Sequence, residues 1–288
     1  MLRRALVALL AMSPAALPPA SSAFEIKPRT PESAFTAKLR PDILGISSDS
    51  SAGSAKAIFD SSFRGRSETR TDIQQSKFGD SGVSYTAALE FSFPPGAKQT
   101  GEVLSSSFSS PASANRAYFV ARNLTFAPEQ QPSKAEMIQQ VMDKYGAPTI
   151  VGDQHLYYFY RGGSIVSVGA KYKAASALEA IDKPLDPRIA VKLNAATGRG
   201  SCVAAVKRSQ ARDKTLGALL DEAKGANCEG ALSVQLTPST AAPDRVGNAQ
   251  FTLLDFKGVI SAAAIDDDAL AAEKNERNPL PKASAPRL

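Results

Sequence analysis

The chain has 288 residues, of which 43% are hydrophobic and 22% are charged, and its formal net charge is +6. These proportions exclude a mainly disordered or fibrous chain, and the length allows one large domain or two small ones. A single histidine and two cysteines leave little material for metal, thiol or histidine-dependent chemistry. The basic residues form no dense run with interleaved aromatic residues, so we expect no nucleic-acid partner.

The first 23 residues have the three parts of a secretory signal peptide. Arg3 and Arg4 form a positive start, residues 5–12 a short apolar run, and residues 21–23 a small-residue cleavage site. The apolar run is much shorter than the roughly 20 residues of a membrane-spanning helix. We therefore expect cleavage near Ala23, no transmembrane anchor, and a mature protein in the periplasm or outside the cell.

The segment after the signal peptide predicts one helix between irregular stretches. Residues 24–41 mix proline with charged residues and predict an irregular lead-in. Residues 42–46 predict a short strand or turn, and apolar residues at helical spacing predict a helix over about residues 50–62. The arginine-rich residues 64–70 predict a solvent-exposed turn.

Three strands and the clearest helix of the sequence follow. Alternation of apolar and polar residues predicts the strands at about residues 83–93, 102–109 and 116–126. The helix lies within residues 133–149, where Ser133 and Glu136 have the spacing of a capping box. Gly146 and Pro148 end the helical pattern.

Residues 155–168 predict a β-hairpin with four consecutive aromatic residues in its first strand. Tyr158 and Tyr160 share one face of that strand, and Tyr157 and Phe159 share the other. If a second layer covers both faces, all four side chains are core. If it does not, we expect Tyr157 and Phe159 inside and Tyr158 and Tyr160 exposed as a surface for a protein partner.

The last third predicts a mixed C-terminal part. Its elements are a strand leading into Cys202, a helix at about residues 215–224, strands at about residues 232–236 and 250–256, and a polar helix after an aspartate cap at residues 266–268. In an exported chain with two cysteines, a disulfide between Cys202 and Cys228 is expected. The spacing of this pair lacks the C-x-x-C pattern of a redox centre.

These elements together indicate an α+β fold of short antiparallel meanders with helices packed on one face. After the lead-in we expect a domain at 42–181 (with two related helix-plus-sheet units at 42–110 and 111–181), a linker at 182–200, a disulfide-bridged part at 201–276 and a loose tail at 277–288.

Two motifs resemble parts of hydrolytic or metal sites. Residues 79–82 (GDSG) resemble the nucleophile loop of serine proteases, but the one histidine, His155, follows them in the chain, and the tetrapeptide is also a good turn. Asp153 and His155 could form a proton relay or half of a metal site, or a surface turn. We predict a turn in both cases, with no catalytic residue and no metal.

Two further motifs have simple structural explanations. Asp266, Asp267 and Asp268 offer oxygen ligands for calcium without the loop spacing, and as a helix cap they would oppose the helix dipole. Asn123 begins a single glycosylation sequon, which is a candidate site only.

The helix that ends in Lys144-Tyr145-Gly146-Ala147-Pro148, followed by an aromatic strand, resembles the repeated element of the SmpA/OmlA and β-lactamase-inhibitor-protein-like superfamily. It is also similar to exported bacterial proteins that carry a K-Y-G-x-P element. Residues 42–63 resemble the entry to a second copy. The chain departs from the family in having no lipidated cysteine and no Gly-Met-Thr before the helix. The resemblance implies a non-catalytic, protein-binding module of the cell envelope.

The expected function is therefore that of an exported, non-catalytic envelope protein that binds a protein partner without a cofactor. Two alternatives are a secreted hydrolase, whose carboxylates would leave no spacing signature, and a small-ligand or glycan-binding module. A concave pocket with two convergent carboxylates of perturbed pKa would favour the hydrolase. An exposed aromatic sheet face would favour the protein partner.

Overall fold

One antiparallel sheet of nine strands forms the centre of the molecule. The computed structural model describes residues 25–151, 154–166, 202–211 and 214–277, and the numbers of strands and helices refer to these residues. The strands are β1 (Arg70–Lys77), β2 (Ser84–Phe93), β3 (Gly101–Phe108), β4 (Ala117–Thr125), β5 (Ile150–Val151), β6 (His155–Arg161), β7 (Ser164–Ile165), β8 (Gly230–Pro238) and β9 (Val246–Asp255). Their order in the sheet is β1-β2-β3-β4-β9-β8-β6-β5, and β7 also pairs with β6.

Five helices accompany the sheet. They are α1 (Ala52–Ser62), α2 (Lys134–Tyr145), α3 (Cys202–Ala211), α4 (Leu216–Gly225) and α5 (Phe256–Arg277). The strand pairs are antiparallel, so the predicted α+β class is confirmed. Strands β8 and β9 of the C-terminal part lie between β4 and β6, so both parts of the described chain build one sheet.

Helices cover both faces of this sheet, whereas one covered face was expected. Helices α1 and α2 pack on the face that carries Phe91 and Leu253. Helices α3, α4 and α5 pack on the opposite face, around Phe159 and Leu254. The central strands direct large apolar side chains to both faces, and each face therefore needs a covering layer to exclude water.

Local sequence signals predicted several elements correctly. The three strands at residues 83–93, 102–109 and 116–126 are β2, β3 and β4, and the first helix is α1. The capping box of α2 is present, because the backbone N–H groups of Ser133 and Glu136 each donate to the other residue's side chain. The predicted hairpin is also confirmed. Gly162 and Gly163 have φ of 57° and 71° in its two-residue turn, a conformation that glycine adopts without strain.

Three elements differ from the prediction. Strand β1 follows the arginine-rich segment, but almost all its side chains are exposed and they show no apolar alternation. Cys202 begins helix α3 and does not end a strand, because a short, wholly apolar run fits a buried helix and a strand equally well. Helix α5 begins at Phe256, directly after β9, so the predicted cap at residues 266–268 lies in the middle of a helix.

The predicted disulfide between Cys202 and Cys228 is confirmed, with 5.7 Å between the two Cα atoms. It joins the first residue of α3 to the segment that precedes β8. Both cysteines are buried in the apolar cluster beneath α3, α4 and α5. The bond therefore fastens this helical layer to a central strand of the sheet.

Several expectations concern residues outside the described ranges. These are the signal peptide, Asp153, the linker at residues 182–200 and the tail beyond Arg277. The proposed division into domains and repeated units stays a prediction. In the described part of the chain, no helix is both long enough and apolar enough to cross a membrane.

Candidate functional site

A cleft of about 480 Å³ lies where the helical layer ends on the sheet. Helices α3, α4 and α5 cover β4, β9, β8 and β6 on their face. At β1 and β2, helix α5 packs on the hairpin end, where Ile265 and Ala269 contact Phe78 and Tyr85. The cleft is lined by the start of α4 on one side and by residues of β1, β2 and β3 on the other. This volume lies within the range of small-molecule sites.

Small side chains make the floor of the cleft concave. Ala88 on β2 pairs with Ser107 on β3, and Glu90 on β2 pairs with Ser105 on β3. The next strand supplies Phe119, whose buried ring closes the floor toward the helices. Since alanine and serine are short, the floor lies below the level of the neighbouring helix layer, and the serines bring hydroxyl groups to the lining of the cleft.

Two carboxylates stand side by side at the open side of the cleft. Asp72 on β1 lies directly opposite Glu90 on β2, so their Cβ atoms are about 5 Å apart. Among the described residues neither forms an ion pair, and both are exposed. Like charges in this position repel each other and destabilise the strand pair. A cation held between them would relieve this repulsion.

A third carboxylate, that of Asp266 on α5, lies at one end of the cleft. It accepts hydrogen bonds from the hydroxyl groups of Ser110 and Ser113, at 2.6 and 2.7 Å. Burial raises the pKa of Asp266, and these two donors oppose that shift. The side chain therefore joins α5 to the loop before β4 and adds negative potential to the cleft.

The opposite wall is the start of α4. The hydroxyl of Thr215 caps this helix by accepting a hydrogen bond from the N–H of Ala218. The ammonium group of Lys214 donates to the carbonyl groups of Ser209 and Gln210 and lies 5.4 Å from the centre of the Phe119 ring. The cleft therefore has three carboxylates against one ammonium group.

The predicted partner surface is wrong, because Tyr158 and Tyr160 are buried, at 0% and 1% exposure. Tyr145 of α2 packs on Tyr158, whose hydroxyl donates to the carbonyl of Gly146 at 3.0 Å. Phe35 of the lead-in packs edge-on against Tyr160, with 4.9 Å between the ring centres.

The other pair of the aromatic strand lies where it was expected. Tyr157 and Phe159 are fully buried on the opposite face. All four aromatic rings are therefore core, and the described strand offers no aromatic surface. The protein partner itself stays a prediction, without an assigned surface.

The serine-protease motif is a hairpin turn. Residues 79–82 connect β1 to β2, and the hydroxyl of Ser81 donates to the carbonyl of Phe78 at 2.6 Å. His155 begins β6, which is five strand spacings from β2. At about 4.8 Å per spacing, these strands lie about 24 Å apart, so the histidine cannot activate the serine. Its ring stacks on that of Tyr157.

The remaining candidate residues have separate surroundings. Asp268 forms an ion pair with Arg29, while Asp266 binds the two serines, so these aspartates do not converge. Asn123 lies on β4 beside the half-buried Gln250 of β9. In the described ranges, no group of three histidine, cysteine or acidic residues could hold a metal ion.

Sequence reasoning missed the cleft because its residues come from separated elements. Asp72 lies in a strand without apolar alternation, and Lys214 precedes a helix of another part of the chain. The three consecutive serines at residues 105–107 were the one local signal, because serine is uncommon in a strand that belongs to an apolar core.

Comparison of the chain with protein-family models, characterised proteins and solved structures finds no match in any of the three.

Proposed function

We propose that this is an exported, non-catalytic binding protein whose cleft takes a small, positively charged ligand rich in hydroxyl groups, such as an amino sugar. The observation that carries the proposal is the cleft between strands β1, β2 and β3 and the start of α4. Its volume of about 480 Å³ suits a ligand of disaccharide size.

The hydroxyl groups of the proposed ligand are inferred from the polar side chains that line the floor of the cleft. Ser105 and Ser107 can donate and accept hydrogen bonds, and the amide of Gln74 can do both. A ligand hydroxyl likewise donates and accepts, so it can pair with each of these groups. An apolar ligand would leave these groups without partners, at a cost of about 1–3 kcal/mol for each buried group.

The positive charge of the proposed ligand is inferred from the carboxylates of the cleft. Asp72 and Glu90 repel each other across β1 and β2, and an ammonium group between them would form charge-assisted hydrogen bonds with both. Lys214 brings a single positive charge against three carboxylates, so the charge of the cleft lining stays negative. An anionic ligand of the same size would meet unfavourable potential in this cleft.

Calorimetric titration with three disaccharides of different charge tests the proposal. The probes are the glucosamine disaccharide, its neutral N-acetylated form, and the anionic digalacturonate. We expect affinity to fall in that order. Replacing Ala88 with phenylalanine fills the floor of the cleft and should abolish binding.

The matched control is Ser92→Phe, which places the same ring on the same face of β2 but outside the cleft. This variant should bind as the unmodified protein does. The proposal is wrong if neither the glucosamine disaccharide nor its acetylated form binds, or if Ala88→Phe binds as tightly as Ser92→Phe.

A glycoside hydrolase is the second candidate function, and the paired carboxylates favour it. Retaining glycosidases hold two carboxyl groups about 5–5.5 Å apart, a separation that side chains can reach from directly paired positions such as Asp72 and Glu90. Both side chains of this pair are exposed to solvent, whereas the catalytic acid of such an enzyme lies in an enclosed apolar pocket. Chromatography of the same disaccharides after incubation with the protein distinguishes hydrolysis from binding.

Export is proposed from the sequence of residues 1–23 and supported by the disulfide. Structural disulfides persist in oxidising compartments such as the periplasm and the cell exterior. The Cys202–Cys228 bond lies in the core and joins two layers, so the fold depends on an environment that keeps it oxidised.

A further inference from the structure

A second cavity lies on the opposite face of the sheet from the cleft and does not depend on the function proposed for the cleft. It has a volume of about 160 Å³ and lies beneath α2, above β4 and β9. Met137 and Val141 of α2 and Phe251 of β9 form its apolar walls, and the turn at residues 42–46 closes one end. This volume holds about five water molecules at ~30 Å³ each, or a short branched hydrocarbon group.

One arginine of the sheet lines this cavity, and Gln140 and Lys144 of α2 are the other polar side chains of the lining. Arg122 occupies β4 between Leu104 of β3 and Phe251 of β9, on the face that forms the larger apolar core. Its side chain is 26% exposed. A charged group at such a position needs a partner, since transfer of a charge out of water is costly.

The protein satisfies Arg122 only in part. Its Nε donates to Glu102 at 2.8 Å, and the other oxygen of Glu102 accepts a hydrogen bond from Arg66 at the same distance. In the described part of the chain no hydrogen bond uses Nη1 or Nη2 of Arg122. One carboxylate therefore serves two guanidinium groups, and one positive charge is left over.

The rim does not cancel this charge. Lys144 of α2 forms an ion pair with Asp42 at 3.0 Å, so these two residues neutralise each other. The hydroxyl of Tyr145 donates to the backbone carbonyl of Asp42 and brings no anion. The cavity thus combines apolar walls with a guanidinium group that shares its one carboxylate with Arg66.

We propose that this cavity binds a short branched-chain carboxylate, with the carboxylate on the two terminal nitrogens of Arg122 and the hydrocarbon part against Met137, Val141 and Phe251. The shared chemistry is that of a free short-chain acid and of an acylated aliphatic amino acid. Paired hydrogen bonds between a guanidinium group and a carboxylate are short and geometrically specific.

Titration of the full chain with four probes, followed by amide chemical shifts, tests this site. The probes are isovalerate, N-acetylleucine and the amide of each acid, which has the same hydrocarbon part without the charge. We expect at least one of the two acids to shift the amide signals of Met137, Val141 and Phe251. The neutral amide should bind about tenfold to a hundredfold more weakly than the matching acid. Binding of isovalerate alone would identify a free acid as the ligand, and binding of N-acetylleucine an acylated amino acid.

Arg122→Gln should weaken binding of the acids by a similar factor. The matched control is Arg64→Gln, which removes an equal charge from an exposed side chain that lines no part of the cavity, and it should change affinity less than threefold. The comparison of acid with amide uses the unmodified protein, so it holds even if Arg122→Gln does not fold. The proposal is overturned if neither acid binds, if acid and amide bind equally, or if both variants bind as the unmodified protein does.

Discussion

Replacing Asp255 tests how the irregular lead-in is held to the rest of the molecule. The carboxylate of Asp255 is 2% exposed and accepts the N–H of Gly258 at 2.8 Å, so it caps the first turn of α5. It also accepts the N–H of Ala34 at 3.0 Å and the hydroxyl of Ser33 at 2.6 Å. One side chain thus joins the end of β9, the start of α5 and the lead-in.

The cost of Asp255→Ala follows from the donors that lose their acceptor. The hydroxyl of Ser33 can turn to Ser48, 3.2 Å away, but the amides of Ala34 and Gly258 are buried. Each unpaired buried donor costs about 1–3 kcal/mol. Removal of a buried carboxylate recovers part of this cost, and we expect the free energy of unfolding to fall by about 2–4 kcal/mol.

Asp255→Asn is the matched control because its amide oxygen can still accept both backbone N–H groups. It should cost about 1 kcal/mol or less. Burial raises the pKa of Asp255, so the folded protein binds this proton more tightly than the unfolded chain does. The unmodified protein should therefore lose stability relative to Asp255→Asn as pH rises above the unfolded value of about 4.

Urea denaturation followed by circular dichroism at pH 4 and pH 7 measures these differences, since the chain has no tryptophan for a fluorescence probe. If Asp255→Ala loses less than about 1 kcal/mol, the buried donors find other partners and the reasoning is refuted. An equal pH dependence of the unmodified protein and Asp255→Asn would refute the assigned direction of the pKa shift.

Two other predictions concern export and the aromatic strand. Mass spectrometry of protein isolated from its cell of origin should show a chain that lacks about the first 23 residues and gains about 2 Da when the disulfide is reduced. An intact chain with free thiols would contradict export. Replacing Tyr158 and Tyr160 together by serine should unfold the protein in a thermal melt, because it removes two core rings at about 3–5 kcal/mol each. A folded double variant would show that these rings are not core.

Elements with complete local signals could be predicted from the sequence. Helix α2 has a cap at Ser133, an apolar stripe and a glycine at its end, so each part of the pattern agrees. Strands β2, β3 and β4 have enough alternation to define their bounds within about one or two residues.

Elements that depend on distant contacts could not be predicted. Helix α5 follows β9 without a turn between them. The residue at this junction, Asp255, is held by contacts with Ser33 and Ala34, which lie more than 200 residues earlier in the chain. Alternation placed Tyr158 and Tyr160 on one face but could not show that Phe35 and Tyr145 cover it. The cleft likewise depends on β9 pairing with β4, which decides where the helical layer ends.

Hydrogen exchange of the full chain with and without the glucosamine disaccharide tests the central claim most directly. A ligand in the cleft should slow amide exchange in β1, β2, β3 and the first turn of α4, and leave β6 unchanged, since β6 lies beneath the helical layer and outside the cleft lining. Slowed exchange in these four segments is the predicted result. Unchanged exchange in all four, or protection centred on another part of the sheet, would contradict the cleft as the binding site.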